Sequence, residues 1–231
     1  MPINFKILAY EDTHLGILCL RKRLTLSEPQ CWVTEVTLNH EFLMSSLHTD
    51  SERALAEFAI DRATGENLRV LVGGLGLGYT AAAALESPRV KSVEIIELLP
   101  QVIDWMKSGL IPLSESLQKD DRIKVTEADI YAHLLSAPNE HRWDVILIDV
   151  DHSPDDQLAA SDQGFYSRSG LASAAKHLNG DGVIALWSYE GNQPLEDAMR
   201  CVFTDVEILP VSYTNQHVGE SFTDWLFLGI V

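Results

Sequence analysis

Beyond residue 67 the chain alternates between short, nearly continuous apolar runs and segments whose apolar residues recur at helical spacing. The runs, at 69–72, 90–97, 122–126, 144–149, 182–187, 206–211 and 225–231, predict strands. The segments between the first six, at 79–86, 100–108, 130–136, 170–178 and 195–203, predict helices. Strands that are apolar on both faces and joined by helices imply a mostly parallel sheet covered on each side. The last two runs leave no room for a helix between them and imply a closing hairpin.

The first fifty residues read differently. Residues 5–10 and 15–20 are apolar, with a polar turn at 11–14 between them, and 32–38 alternate with β-branched residues. A small antiparallel sheet is expected there. A helix then begins near Asp50, where Thr49 and Glu52 stand at capping-box spacing, and Gly65 can close it. The expected division is a β-rich unit over 1–50 and an α/β unit over 51–231.

Composition narrows the function classes. The 231 residues carry 17 Lys+Arg against 34 Asp+Glu, a formal net charge of −17. That balance argues against nucleic-acid backbones and anionic lipid, and otherwise serves solubility. No apolar run is long enough for a membrane-spanning helix, and the N-terminus lacks the pattern of a signal peptide. Three widely spaced cysteines with no CxxC pair suit a reducing cytoplasm, and Cys19 and Cys201 read as small core residues.

The candidate chemistry lies where strands end. After the first apolar run comes a glycine-rich turn, Gly73-Gly74-Leu75-Gly76-Leu77-Gly78, followed by a helix. Such a turn brings backbone close to a ligand, with Gly74, Gly76 and Gly78 as its bends. Glu97, at the end of the second run, is placed to accept hydrogen bonds from ribose hydroxyls. Asp129, after the third run, is placed to accept from an adenine amine and to N-cap the next helix. No Gly-Lys-Ser/Thr follows the glycines, so a nucleoside without phosphates fits better than a nucleotide.

After the fourth run, Asp149, Asp151, His152, Asp155 and Asp156 crowd into one short segment. Grouped carboxylates suit an amine substrate, and Asp149, fixed by the strand, is the best proton acceptor among them. Asp151 and His152 follow on the turn. A solvated turn and a metal site compete with this reading, the metal being the less favoured. Tyr166 and Trp187 are aromatics that can pack on an adenine or an amine stem, and both types are also common in cores.

Taken together, these residues resemble the polyamine aminopropyltransferase family, the spermidine synthase-like branch of the class I methyltransferase fold. Gly74 through Thr80 occupy the place of that family's Gly-Gly-Gly-Asp-Gly-Gly-Thr motif. Glu97 with Val102 and Ile103, Asp129, Asp149 and Phe165-Tyr166 match its later motifs. The resemblance implies a seven-stranded Rossmann-like sheet with helices on both faces, behind a small N-terminal antiparallel β-domain. It implies S-adenosylmethionine or its decarboxylated form as co-substrate, no metal, a small amine acceptor, Asp149 as base and a homodimer. Leu77 falls where the family carries an Asp that holds the donor's amine, and no clear Tyr-His-Glu or Tyr-Gln-Glu motif is present. Methyl transfer to another acceptor, or nucleoside binding without catalysis, therefore stand beside aminopropyl transfer.

Overall fold

The computed structural model describes residues 4–26, 28–138, 141–150, 153–155, 164–215 and 219–231. Asp151 and His152 lie outside the described residues. Among those described there are two sheets. The first is antiparallel, with strands in chain order: β1 (Phe5–Thr13), β2 (Gly16–Leu24), β3 (Trp32–Leu38) and β4 (Glu41–Ser45). Its first turn is shorter than the polar stretch 11–14 suggests, because β1 runs on to Thr13. Glu11 is thereby a strand residue, and it accepts a hydrogen bond from the Trp105 indole at 2.7 Å. Asn39 clips the same turn, accepting from Ile17 N–H at 3.0 Å and donating to the Leu15 carbonyl at 3.1 Å. Strand β3 carries the buried Glu35, which is neutralised by Arg21 and Arg23 from β2 at 3.0 and 2.5 Å.

Helix α1 (Asp50–Arg62) leads into the second unit. The expected capping box does not form, since the Thr49 side chain makes no capping bond. Thr49 instead accepts from Arg53 at 3.3 Å. The helix stops at Arg62, short of Gly65, with Ala63 already extended.

The second sheet contains β5 (Leu68–Gly73), β6 (Val90–Glu97), β7 (Ile123–Glu127), β8 (Trp143–Ile148), β9 (Leu178–Ser188), β10 (Asp205–Asn215) and β11 (Glu220–Ile230). Their order is β10-β11-β9-β8-β5-β6-β7, parallel except for β11, which runs antiparallel to β9 and β10. Intervening helices are α2 (Tyr79–Glu86), α3 (Pro100–Lys107), α4 (Ser114–Lys119), α5 (Ile130–Leu135), α6 (Arg168–Ala175) and α7 (Gln193–Arg200). Alternate residues of each strand feed opposite faces. Val70, Val72, Val145 and Leu147 pack in a cluster with α1, α2 and α3, while Leu71, Ile146 and Ile148 pack with α5, α6 and α7. Burial on both faces is why these strands read as unbroken apolar runs.

Strands β10 and β11 are longer than their apolar runs, because polar residues continue the hairpin past Val211 and before Trp225. Cys19 is buried as expected, but Cys201 is exposed, because it sits beyond the end of α7. No described helix is long and apolar enough to cross a membrane.

Candidate active site

The strand order reverses between β5 and β8, whose chains leave the sheet in opposite directions. In open α/β sheets the crevice beyond such a pair of strand ends is where ligands bind. Here the two ends are tied together, since Asp149 N–H donates to the Gly73 carbonyl at 3.1 Å. Gly74 has φ +92°, and a Cβ on it would stand 2.5 Å from the Asp149 backbone oxygen. Only glycine fits on both counts. Gly78, also left-handed, is the N-cap of α2.

Two cavities meet at this point. The inner one, about 100 Å³, runs beneath the N-terminal sheet and over the ends of β5, β6 and β7. Leu15, Leu18, Val36 and Met44 roof it, and Glu97, Trp105 and Asp129 lie along its walls. The outer one, about 470 Å³, is bounded by the glycine loop and the starts of α1 and α2. Trp187, Tyr189, Tyr213 and Asp224 complete it from β9 to β11. Gly74, Gly76, Met44, Asp149 and Val150 line both cavities and form the passage between them.

The inner cavity is held by backbone. Glu97, 7% exposed, accepts from Leu75 N–H and Leu99 N–H, one at each carboxylate oxygen, both at 2.8 Å. It thereby braces the glycine loop against the end of β6. Burial pushes its carboxyl up, and these backbone donors oppose the rise. Asp129 caps α5 through one oxygen, Oδ1, which accepts from Tyr131 and Ala132 N–H at 2.8 and 3.1 Å. Tyr166 stands behind this wall, its hydroxyl 2.8 Å from that of Tyr131.

The outer cavity is held by side chains. Thr80, in the first turn of α2, donates to Asp149 Oδ2 at 2.6 Å. Ser51, at the start of α1, donates to Asp224 Oδ2 at 2.6 Å. Glu52, the next residue, is half-buried beside both acids. Burial and then the negative charge of Asp149 push the Glu52 carboxyl up to about 8. Asp149 and Asp224 are pushed up too, by burial first and by neighbouring carboxylates after it, while Thr80 and Ser51 respectively oppose the rise. Tyr213 is raised to about 12 by burial and by the same acids. Among the described residues, no lysine or arginine lines this cavity. Three close carboxyl groups, Glu52, Asp149 and Asp224, in such a lining make a site for a cationic ligand.

The spermine/spermidine synthase domain matches residues 51–206. The chain belongs to this family. Two relatives are the polyamine aminopropyltransferases of Bacillus mycoides and Bacillus subtilis, 30% and 31% identical over 146 and 115 residues. These matches take in 62% and 50% of this chain but 49% and 39% of the relatives. The chain thus spans about half, or less, of the curated relatives it matches. Spermidine synthase from Thermotoga maritima superposes with a TM-score of 0.75, covering 97% of this chain and 72% of that one at 14% identity. A spermidine synthase in complex with the transition-state analogue AdoDATO gives 0.76, over 97% and 73%, at 15% identity. At such identities the superpositions show a shared fold.

Of the residues predicted from sequence, Gly74, Gly76, Glu97, Asp129, Asp149 and Trp187 converge on the two cavities of this spermidine synthase fold. Leu77 lines the outer cavity but is 5% exposed and belongs to the hydrophobic core on the α1–α3 side of the sheet. The sequence reading missed Glu52, Ser51, Tyr213 and Asp224. Glu52 was assigned to a helix cap, and Asp224 fell just before an apolar run. An acid inside an otherwise strand-forming stretch, beside Trp225, was the available signal for Asp224.

Proposed function

We propose that the chain transfers an aminopropyl group from decarboxylated S-adenosylmethionine to a small amine. The observation that carries this reading is the position of Asp149, on the wall shared by a largely aliphatic inner cavity edged by Glu97 and Asp129 and an acidic outer one. The adenosyl group occupies the inner cavity. Glu97 takes the ribose hydroxyls through its remaining lone pairs, and Asp129 Oδ2 takes the adenine amine while Oδ1 stays with the helix cap. Aliphatic side chains of the N-terminal sheet cover the base.

The donor sulfur then lies in the passage beside Gly74 and Gly76, with its transferable arm in the outer cavity. The acceptor amine, deprotonated, attacks the arm carbon attached to sulfur. A carbon–nitrogen bond forms and the carbon–sulfur bond breaks, its electron pair returning to sulfur as a neutral thioether, methylthioadenosine. The proton released from the amine passes to Asp149. Burial, with the neighbouring Asp224 after it, raises the proton affinity of Asp149 above that of a solvated carboxylate, which suits it to this acceptance. The sulfonium is already a good leaving group, so alignment of amine, carbon and sulfur is the main contribution of the protein.

The test is product analysis. With decarboxylated S-adenosylmethionine and putrescine, equal amounts of methylthioadenosine and aminopropylated amine are expected. Methylated amine and S-adenosylhomocysteine from S-adenosylmethionine would support methyl transfer instead. Nucleoside binding with no product from either donor would overturn both readings.

A further inference from the structure

The outer cavity holds more carboxylate than one proton transfer requires. Asp149 faces the passage, while Glu52 and Asp224 come from α1 and β11, elements remote from the glycine loop in sequence. Asp224 is 7% exposed, yet its polar support is neutral: Ser51 Oγ at 2.6 Å and the Trp187 indole. The nearest arginine on α1, Arg53, is engaged elsewhere, over the Tyr79 ring at 5.6 Å and with Glu86 at 3.4 Å. A carboxylate this buried is expected to have a cationic partner, and among the described residues the lining supplies no lysine or arginine, its basic side chain being His48, stacked on Tyr213 at 4.8 Å. The glycine loop is equally bare of charge: residues 73–78 are glycine and leucine, and Leu77 is turned into the core. An arm that leaves the inner cavity past Gly74 and Gly76 therefore meets no acid on the loop. It meets Glu52 and Asp224 across the cavity.

We propose that Asp224, steadied by Ser51 and flanked by Glu52, binds the ammonium at the end of the donor's transferable arm and so sets the preference for a decarboxylated donor. This rests on the aminopropyl reading above. The selection has an attractive and a repulsive half. The arm of decarboxylated S-adenosylmethionine ends in a lone ammonium, which pairs with Asp224. The arm of S-adenosylmethionine carries a carboxylate beside that ammonium, and it would face Glu52 and Asp224 with no lysine or arginine among the described lining to shield it. One pair of acids thus accepts one donor and rejects the other.

Calorimetry on the full chain tests this with three probes: methylthioadenosine, decarboxylated S-adenosylmethionine and S-adenosylmethionine. Asp224→Asn is expected to weaken decarboxylated S-adenosylmethionine about thirtyfold, as expected for loss of one partner of a buried charge pair. It should leave methylthioadenosine, which has no cationic arm, within threefold, and narrow the preference over S-adenosylmethionine. Glu52→Gln should act the same way more weakly, and retained methylthioadenosine binding shows that each variant is folded. Equal weakening of methylthioadenosine and the decarboxylated donor would overturn the assignment. So would a loss confined to putrescine, which would place these acids on the acceptor. If wild type binds neither methylthioadenosine nor the decarboxylated donor, the aminopropyl reading falls and this inference falls with it.

Discussion

The inner and outer cavities share Asp149, Gly74, Gly76, Met44 and Val150 but are built by different means. The inner one is aliphatic, and its polar groups are fixed by backbone: Glu97 by two N–H groups and Asp129 by a helix N-terminus. The outer one is more polar, and its acids are steadied by hydroxyls from the first turns of α1 and α2. A surface fixed by backbone recognises a constant part of a ligand. A surface built from side chains can be altered residue by residue without disturbing the sheet. On the proposed reading, the inner cavity takes the constant adenosyl part and the outer cavity takes the variable amine part.

The largest expected effect separates chemistry from nucleoside binding. Asp149→Asn should lower the rate of transfer about a thousandfold. Methylthioadenosine affinity should stay within a few-fold, measured by single-turnover kinetics and calorimetry on the same sample. A matched loss in both would mean that the cavities are not separable at Asp149. Next, Gly74→Ala forces a side chain to φ +92° against the Asp149 carbonyl. It should cost about 2–3 kcal/mol in denaturant unfolding and abolish nucleoside binding.

A third experiment uses the raised carboxyl of Glu52. Its folded value of about 8 lies above its ordinary 4.5. The stability tied to its protonated form is therefore complete below pH 4.5 and is lost as pH rises to about 8. Glu52→Gln keeps that stability at all pH values. Its melting temperature should exceed that of wild type by a few degrees at pH 9, with the gap closing towards pH 5. A cationic ligand favours the ionised form, so its binding to wild type should tighten as pH rises through 8 and release a proton. Calorimetry in buffers of different ionisation enthalpy reads that release. Methylthioadenosine binding should show no such trend.

The smallest effect concerns the roof. Trp105→Phe removes the hydrogen bond to Glu11 that ties the N-terminal sheet to α3. It should cost about 1 kcal/mol in stability and weaken methylthioadenosine less than tenfold, with the amine side unaffected.

The same contrast explains what was legible in the sequence. The carboxylates and glycines of the inner cavity were legible, because they follow strand ends in a fixed rhythm, Gly74 after β5, Glu97 ending β6, Asp129 after β7 and Asp149 after β8, whereas its aliphatic roof and Trp105 were not. The sheet itself was read for the same reason, since burial on both faces leaves continuous apolar runs. The outer cavity was legible at the glycine loop, Asp149 and Trp187, but not at Ser51, Glu52, Tyr213 or Asp224. Ser51 and Asp224 are separated by 173 positions and meet through the antiparallel insertion of β11 beside β9, which no local pattern encodes. Glu52 satisfied the spacing of a capping box, a local rule, while the tertiary structure turned it towards Asp149 and Asp224.

The most direct test of the central claim, that the two cavities form one site joined at Asp149, is the affinity of a bisubstrate adduct. In such an adduct an adenosyl thioether carries a diaminoalkyl arm long enough to reach from the inner cavity into the outer one. It is expected to bind wild type at least a hundredfold more tightly than methylthioadenosine, as a ligand resembling the transition state should. It should also exclude putrescine. Affinity equal to that of methylthioadenosine, with putrescine still binding beside it, would contradict the account.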